Sequence, residues 1–147
     1  MKSVAEIEHP EVKAYAQRAI AFLRDFRWCR DVTACTLGFA VAGILGVFRV
    51  DILPGEGADP TVWVIVGDLP PAYLYYEPSD SWQDALRGYV DEMRAWAEAA
   101  ATGADVSELI PVNVPPTSEY ARMLSGRLDF LEQNLLDVPA ETLEGDA

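Results

Sequence analysis

The sequence predicts an α+β fold with an N-terminal helix, a small antiparallel β-meander and two C-terminal helices packed on the sheet. Three observations favour this architecture. Apolar residues recur at helical spacing in three segments, one near the start and two after residue 80. Between about residues 40 and 77 the pattern changes to alternating or continuous β-branched and aromatic runs, which are typical of strands. The connections between these runs are short, and short connections join antiparallel strands.

The first helix is predicted to begin at His9-Pro10-Glu11, because proline suits an early helical position and an acidic residue suits the first turn. The apolar positions that follow share one helical face, and we expect the helix to run to about Cys29. This face consists of Val12, Tyr15, Ala16, Ala19, Leu23 and Phe26.

The strands are predicted from three runs. Residues 48–52 alternate, with Arg49 and Asp51 on the polar side of a half-buried strand. Residues 61–67 are continuously apolar, which indicates a central strand covered on both faces. Two prolines at 70 and 71 interrupt the pattern, and residues 72–77 form the next strand. For residues 32–43 two interpretations stay open, an earlier strand that turns at residues 42–43 and an irregular buried link.

The two C-terminal helices have clear boundaries. The first begins at residues 79–81 and ends at Gly103, which suits a C-terminal cap. The second is introduced by Thr117 and Ser118, whose hydroxyls are good N-terminal caps. The apolar stripe of the first of these helices consists of Trp82, Ala85, Leu86, Tyr89, Val90, Met93, Trp96, Ala97 and Ala100. The narrower apolar seam of the second consists of Ala121, Leu124, Leu128, Leu131 and Leu135.

A chain of 147 residues has the usual length of one domain. We expect a single α+β domain over residues 1–138. Residues 139–147 are short and acidic, and we expect a disordered tail there.

The charge is strongly negative and unevenly distributed. The net charge is −13; residues 1–50 carry seven basic and five acidic side chains, whereas residues 51–147 carry four and nineteen. This balance argues against nucleic acid as a ligand, because phosphate backbones are bound by clustered lysine and arginine. Two interpretations remain, a solvated surface that maintains solubility and a recognition face for a basic partner.

No residue pattern predicts catalysis or a bound metal. One histidine and two cysteines cannot supply four zinc ligands, and the sequence contains no nucleophile elbow, P-loop or dinucleotide fingerprint. We therefore expect no catalytic residue, metal or cofactor, and favour a protein that is not an enzyme. The uncharged run 32–48 contains three glycines, so we interpret it as buried core without a membrane partner. Sparse cysteines favour the cytoplasm.

Six residues are candidates for binding a ligand or a partner. Asp68 lies in the corner between two predicted strands, and Tyr73 and Tyr75 share one face of the second strand. The alternatives are a structural corner, in which Asp68 bonds nearby backbone amides, and packing of the tyrosines in the core; for the corner we favour the structural interpretation. Acidic side chains at Asp84, Asp91 and Glu98 lie on the predicted exposed side of the helix after residue 81.

The segment 63–74 (Trp-Val-Ile-Val-Gly-Asp-Leu-Pro-Pro-Ala-Tyr-Leu) follows a Gly-Val-Phe-Arg-Val strand and precedes a helix with tryptophans. This combination resembles a family of small, uncharacterised bacterial proteins, over roughly residues 10–137. The resemblance implies a bacterial, cytosolic protein and no particular activity.

Three hypotheses of function follow. The first is a non-enzymatic protein-interaction module, of an immunity or antitoxin type, that binds a basic partner through its acidic surface. The second is a small-ligand-binding domain or an enzyme that uses the Asp68 corner. The third is an oligomerising structural protein, a homo-oligomer whose contact is the leucine seam of residues 121–135.

Overall fold

The computed structural model describes residues 2–55 and 59–136, and its architecture confirms the predicted α+β class. Five antiparallel strands form one sheet in which neighbours in the chain are neighbours in the sheet; one helix lies between the first and second strands, and two helices follow the fifth. The elements are β1 (Lys2–Ser3), α1 (Pro10–Arg24), β2 (Cys29–Val41), β3 (Leu45–Pro54), β4 (Thr61–Gly67), β5 (Leu69–Tyr75), α2 (Trp82–Thr102) and α3 (Ser118–Leu131).

The chain divides into two compact units, with the boundary between Ala85 and Leu86. The sheet and α1 belong to the first unit, and most of α2 and the whole of α3 belong to the second. The expectation of one domain over residues 1–138 stays a prediction. The predicted tail at 139–147 lies outside the described residues.

The sheet is larger than the sequence indicated, because residues 32–41 of the undecided segment belong to strand β2 and residues 42–43 lie in the turn that follows it. This strand starts at Cys29 and pairs with β3 along its whole length. The register shifts at three places, one of them between Leu37 and Phe39, so β2 contains irregularities that obscure its alternation. The bulged pattern explains why periodicity alone did not distinguish a strand from an irregular link.

Strand β5 corrects the prediction that the two prolines interrupt the sheet. The strand runs from Leu69 to Tyr75 and includes Pro70 and Pro71. It pairs on one side only, with β4, and an edge strand tolerates residues that cannot donate to a neighbour.

Helix α1 is also shorter than predicted, ending at Arg24 rather than near Cys29. The backbone N–H of Phe26 donates to Leu23 O in the last turn, at 3.0 Å, and Cys29 already begins β2. Phe26 fits the helical stripe in the sequence, but its ring packs instead against Trp28 and Tyr73 at about 5.1 Å. Phe26 therefore packs in an aromatic cluster after the end of the helix.

One face of the sheet, here called the first face, packs against α1. The helix contributes the buried side chains predicted from its periodicity. Tyr15 also fixes the helix to the β2–β3 turn, because its hydroxyl accepts from the Gly43 N–H at 3.1 Å and donates to Glu11 at 3.3 Å. The sheet residues of this core are Cys29, Cys35, Leu37, Ala40, Phe48, Val50, Ile52, Val62, Val64 and Val66.

The second unit contains α2 from Leu86 onward and α3. Trp96 and the leucine seam of α3 are buried, as the stripes predicted. Arg94 of α2 joins the two helices, donating to Asp129 at 2.8 Å and to Glu132. Thr117 caps α3 by accepting from the Tyr120 N–H, as predicted, and Gly103 follows α2 with a φ of 75°.

The uncharged run 32–48 forms β2, a turn and the start of β3. Across the described ranges, no helix combines the length and the apolar character needed to span a membrane.

Candidate functional site

Asp68 lies in the corner between β4 and β5, where backbone contacts dominate. Its N–H donates to Ile44 O at 2.9 Å, and its side chain is exposed. The preceding Gly67 has a φ of 150°, and its carbonyl accepts from Arg18 at 3.3 Å. The geometry therefore gives this corner a clear structural role.

The candidate tyrosines do not gather around Asp68. Tyr75 is at the other end of β5, seven residues from Asp68, and a strand rise of about 3.3 Å per residue separates the two by about 23 Å. The register places Tyr73 and Tyr75 on the same face, opposite Val64 and Val62, as predicted.

Tyr73 lies in a cluster of aromatic side chains on the first face. Its ring contacts Trp28 at 4.7 Å, Phe26 at 5.1 Å and Phe22 at 6.5 Å between centroids. All four side chains are half-buried. This surrounding supports a packing role for Tyr73.

Tyr75, by contrast, is the most exposed of the large apolar or aromatic side chains described, at 65%. Carboxylates surround it: the negative charge of Glu77, followed by that of Asp59, raises the pKa of its phenol, and Asp80 adds to the effect. Asp80 also accepts from the Glu77 N–H at 2.8 Å, which fixes the turn after β5. We call Tyr75, Glu77, Asp59 and Asp80 the acidic sheet end.

The three acidic candidates on α2 have different environments. Asp84 forms a capping box with Ser81: its carboxylate accepts from the Ser81 N–H at 2.9 Å, and its own N–H donates to Ser81 Oγ at 3.3 Å. These hydrogen bonds, chiefly the one from the Ser81 backbone, lower the pKa of Asp84. Asp91 and Glu98 are exposed further along the helix.

The second face of the sheet carries a polar pair that the sequence did not single out. The register places Arg49 of β3 directly opposite Trp63 of β4. Among residues 2–55 and 59–136, the only buried side-chain nitrogen or oxygen atoms without a hydrogen-bond partner are Arg49 Nε and Trp63 Nε1. Trp63 is 2% exposed and Arg49 is half-buried.

The Trp63 ring of this pair lies beside the Tyr76 ring and close to the backbone at Gly38. Tyr76 lies 5.6 Å from the Trp63 ring, and Phe39 stacks on Trp82 at 4.0 Å. A Cβ atom at Gly38 would lie 3.3 Å from the Trp63 ring and 3.2 Å from Trp82. The six-membered ring of Trp63, on the far side of the indole from Nε1, is therefore closely packed against β2.

The titratable groups elsewhere do not form a metal site or a reactive thiol. Within the described ranges, no group of three or more histidine, cysteine, aspartate or glutamate side chains could hold a metal ion. Cys29 and Cys35 are buried and unbridged, and burial raises the pKa of Cys35 to about 12. A thiol with so high a pKa is a poor nucleophile at neutral pH.

Comparisons with protein-family models, with curated proteins and with solved structures give no match for this chain. Function is therefore inferred from the residues of this chain.

The sequence patterns did not identify Arg49, Trp63 or the acidic residues near Tyr75 as site residues. Arg49 was assigned to the solvent side of an alternating strand, and Trp63 to a fully covered strand. The signal available was an arginine in the middle of an apolar run, since a charge there needs a partner. The approach of Asp59 to Tyr75 depends on the pairing of β4 with β5 and carries no local signal.

Proposed function

We propose that this protein is a non-enzymatic interaction module that binds a basic protein through the acidic sheet end. The observation that carries the proposal is the exposed Tyr75 ring with carboxylates close enough to shift its pKa. Tyrosine is enriched among residues that dominate binding energy, because its ring buries a large area and its hydroxyl hydrogen-bonds.

The charge around this ring supports a basic partner. Residues 51–85 contain seven acidic side chains and no lysine or arginine. A patch of one sign raises association rates with a partner of the opposite sign and disfavours partners of the same sign. An immunity- or antitoxin-type protein that neutralises a basic toxin would use such a surface.

The two other hypotheses gain less from the geometry. Asp68 and Tyr75 are separated by about 23 Å along the strand, so the corner and the exposed tyrosine do not make one pocket. The leucine seam of α3 is buried, with Leu124, Leu128 and Leu131 each at most 4% exposed. It is therefore already covered in the single chain.

The test is capture of partners from a host lysate, identification of the captured protein, and binding kinetics with that protein at two salt concentrations. We expect a basic partner whose association slows as salt rises, because screening shortens from about 8 Å at physiological ionic strength to about 3 Å at 1 M. Tyr75→Ala should speed dissociation about 30-fold, the effect of losing a contact of about 2 kcal/mol.

Two sets of charge variants locate the surface. Asp59→Asn with Glu77→Gln should slow association, since both carboxylates face Tyr75. The control is Asp91→Asn with Glu98→Gln, which removes the same number of exposed charges from α2. An acidic partner, an association rate indifferent to salt, or equal effects from the two pairs would contradict the proposal.

A further inference from the structure

We propose that Arg49 and Trp63 bind a small carboxylate on the second face of the sheet. This inference does not rest on the acidic sheet end, because it concerns two hydrogen-bond donors in the middle of β3 and β4. It assigns the chain a ligand of defined chemistry in addition to a protein partner.

The two unpartnered donors belong to one cross-strand pair. Residues directly opposite in an antiparallel ladder have Cβ atoms about 5 Å apart, so one small acceptor can reach both side chains. A buried donor without an acceptor is costly, and native proteins leave few of them. The coincidence of both on directly paired residues indicates a shared acceptor that the described part of the chain does not supply.

A carboxylate on the same face of the sheet already has a partner within the chain. Asp51 lies on the same face two residues beyond Arg49, but its Oδ1 accepts from Thr61 Oγ1 at 2.9 Å. No carboxylate among the described residues forms an ion pair with Arg49. The guanidinium charge is therefore not compensated by a direct partner within that part of the chain.

The chemistry of the two donors selects the ligand class. Both groups only donate, and one is a cation, so the acceptor is an anion with two acceptor atoms. Guanidinium groups match carboxylates in geometry and form stronger hydrogen bonds with them than with neutral groups. Two N–H donors on directly paired residues match the two oxygen atoms of one carboxylate, which is also smaller than a phosphate. Since the donor atoms are buried, we assign the carboxylate to a free small molecule rather than to a partner's side chain.

The experiment follows the indole N–H resonance of Trp63 in 15N-labelled protein, with acetate as the probe. The chain has four tryptophans, and Trp63→Phe identifies the resonance. We expect acetate to shift it saturably. Sodium chloride at the same ionic strength should not, and inorganic phosphate should shift it more weakly.

Variants test whether the two donors act together. Arg49→Met should weaken acetate binding at the Trp63 resonance at least ~10-fold, the usual effect of losing a charged hydrogen bond. Arg87→Met removes an exposed arginine of α2 and should leave acetate binding unchanged. Trp63→Phe keeps an aromatic ring without the donor, so acetate should raise its melting temperature less than that of the wild type. That thermal readout remains informative if Arg49→Met does not fold.

Three outcomes would overturn the proposal. The first is a Trp63 resonance that acetate does not move, which would assign the donors to an internal water molecule. The second is an equal shift with chloride, which would indicate a non-specific ionic effect. The third is an unchanged affinity in Arg49→Met together with an unchanged thermal response in Trp63→Phe.

Discussion

At the scale of single residues, Gly67 shows which backbone requirement shapes the corner between β4 and β5. A Cβ atom at this position would lie 2.3 Å from Ile44 O and 2.6 Å from the Leu45 Cα. Its φ of 150° is also one that side chains rarely adopt. The Gly-Asp sequence is therefore explained by close approach of two backbones, and the Asp68 N–H continues the same contact by donating to Ile44 O.

Gly67→Ala should destabilise the protein by at least ~2 kcal/mol, because backbone atoms must move and the residue is strained. Urea denaturation measures the change. The matched control is Gly126→Ala in α3, where a Cβ meets nothing within 4 Å and alanine should add about 0.5–1 kcal/mol through helix propensity. A loss below 0.5 kcal/mol in Gly67→Ala would contradict the close-approach explanation.

At the scale of elements, the start of α2 depends on a reciprocal pair of hydrogen bonds. Ser81 Oγ accepts from the Asp84 N–H at 3.3 Å, while the Asp84 carboxylate accepts from the Ser81 N–H at 2.9 Å. Without these bonds, the backbone N–H groups of Ser81 and Asp84 would lack partners within the helix. The acidic side chain that the sequence offered as a recognition residue therefore has a structural role at the helix start.

Ser81→Ala should lower the free energy of unfolding by about 1 kcal/mol, the usual cost of losing a helix cap. It should also raise the pKa of Asp84 toward its ordinary value, because the serine hydroxyl no longer donates to the carboxylate. Because the pKa of Asp84 is lower in the folded state, its carboxylate stabilises the fold at pH values above the ordinary pKa. This contribution is lost as the pH falls through the lowered pKa. Urea denaturation and an NMR titration of Asp84 check both effects. An unchanged pKa in Ser81→Ala would show that the hydroxyl contributes nothing.

The strands show where local signals succeed and fail. Strand β4 was predicted within its bounds, Thr61–Gly67, because it is central and continuously apolar. Strand β2 was left undecided, because its register shifts break the alternation. Strand β5 begins earlier than predicted, since an edge position removes the penalty for Pro70 and Pro71.

At the scale of the whole molecule, stability should fall in mildly alkaline solution. Burial raises the pKa of the Cys35 thiol to about 12 from an ordinary 9.0. The unfolded chain therefore loses this proton at lower pH than the folded chain does. The contribution of the thiol to stability is thus complete below pH 9 and is lost as the pH rises toward 12. Burial also raises the pKa of Tyr15, which extends the loss above pH 10.

Cys35→Val isolates the thiol in this pH dependence. Between pH 8 and pH 10, the wild type should lose about 1.4 kcal/mol more stability than the variant. The difference arises because, over the one pH unit above the thiol pKa of the unfolded chain, the unfolded chain has lost about one proton that the folded chain keeps. Urea denaturation under reducing conditions at pH 8, 9 and 10 measures the difference. Equal losses in the two proteins would mean that Cys35 ionises without unfolding.

The sequence by itself determined the α+β class, the helical stripes and the caps of the C-terminal helices, because these features depend on residues three or four positions apart. It also predicted the shared face of Tyr73 and Tyr75 from strand alternation. Only the tertiary structure decided that Tyr73 packs among Phe22, Phe26 and Trp28 while Tyr75 is exposed. It likewise decided that Arg49 lies beside Trp63. The reason is that strand register and packing join residues distant in the chain, and no local pattern encodes which of them meet.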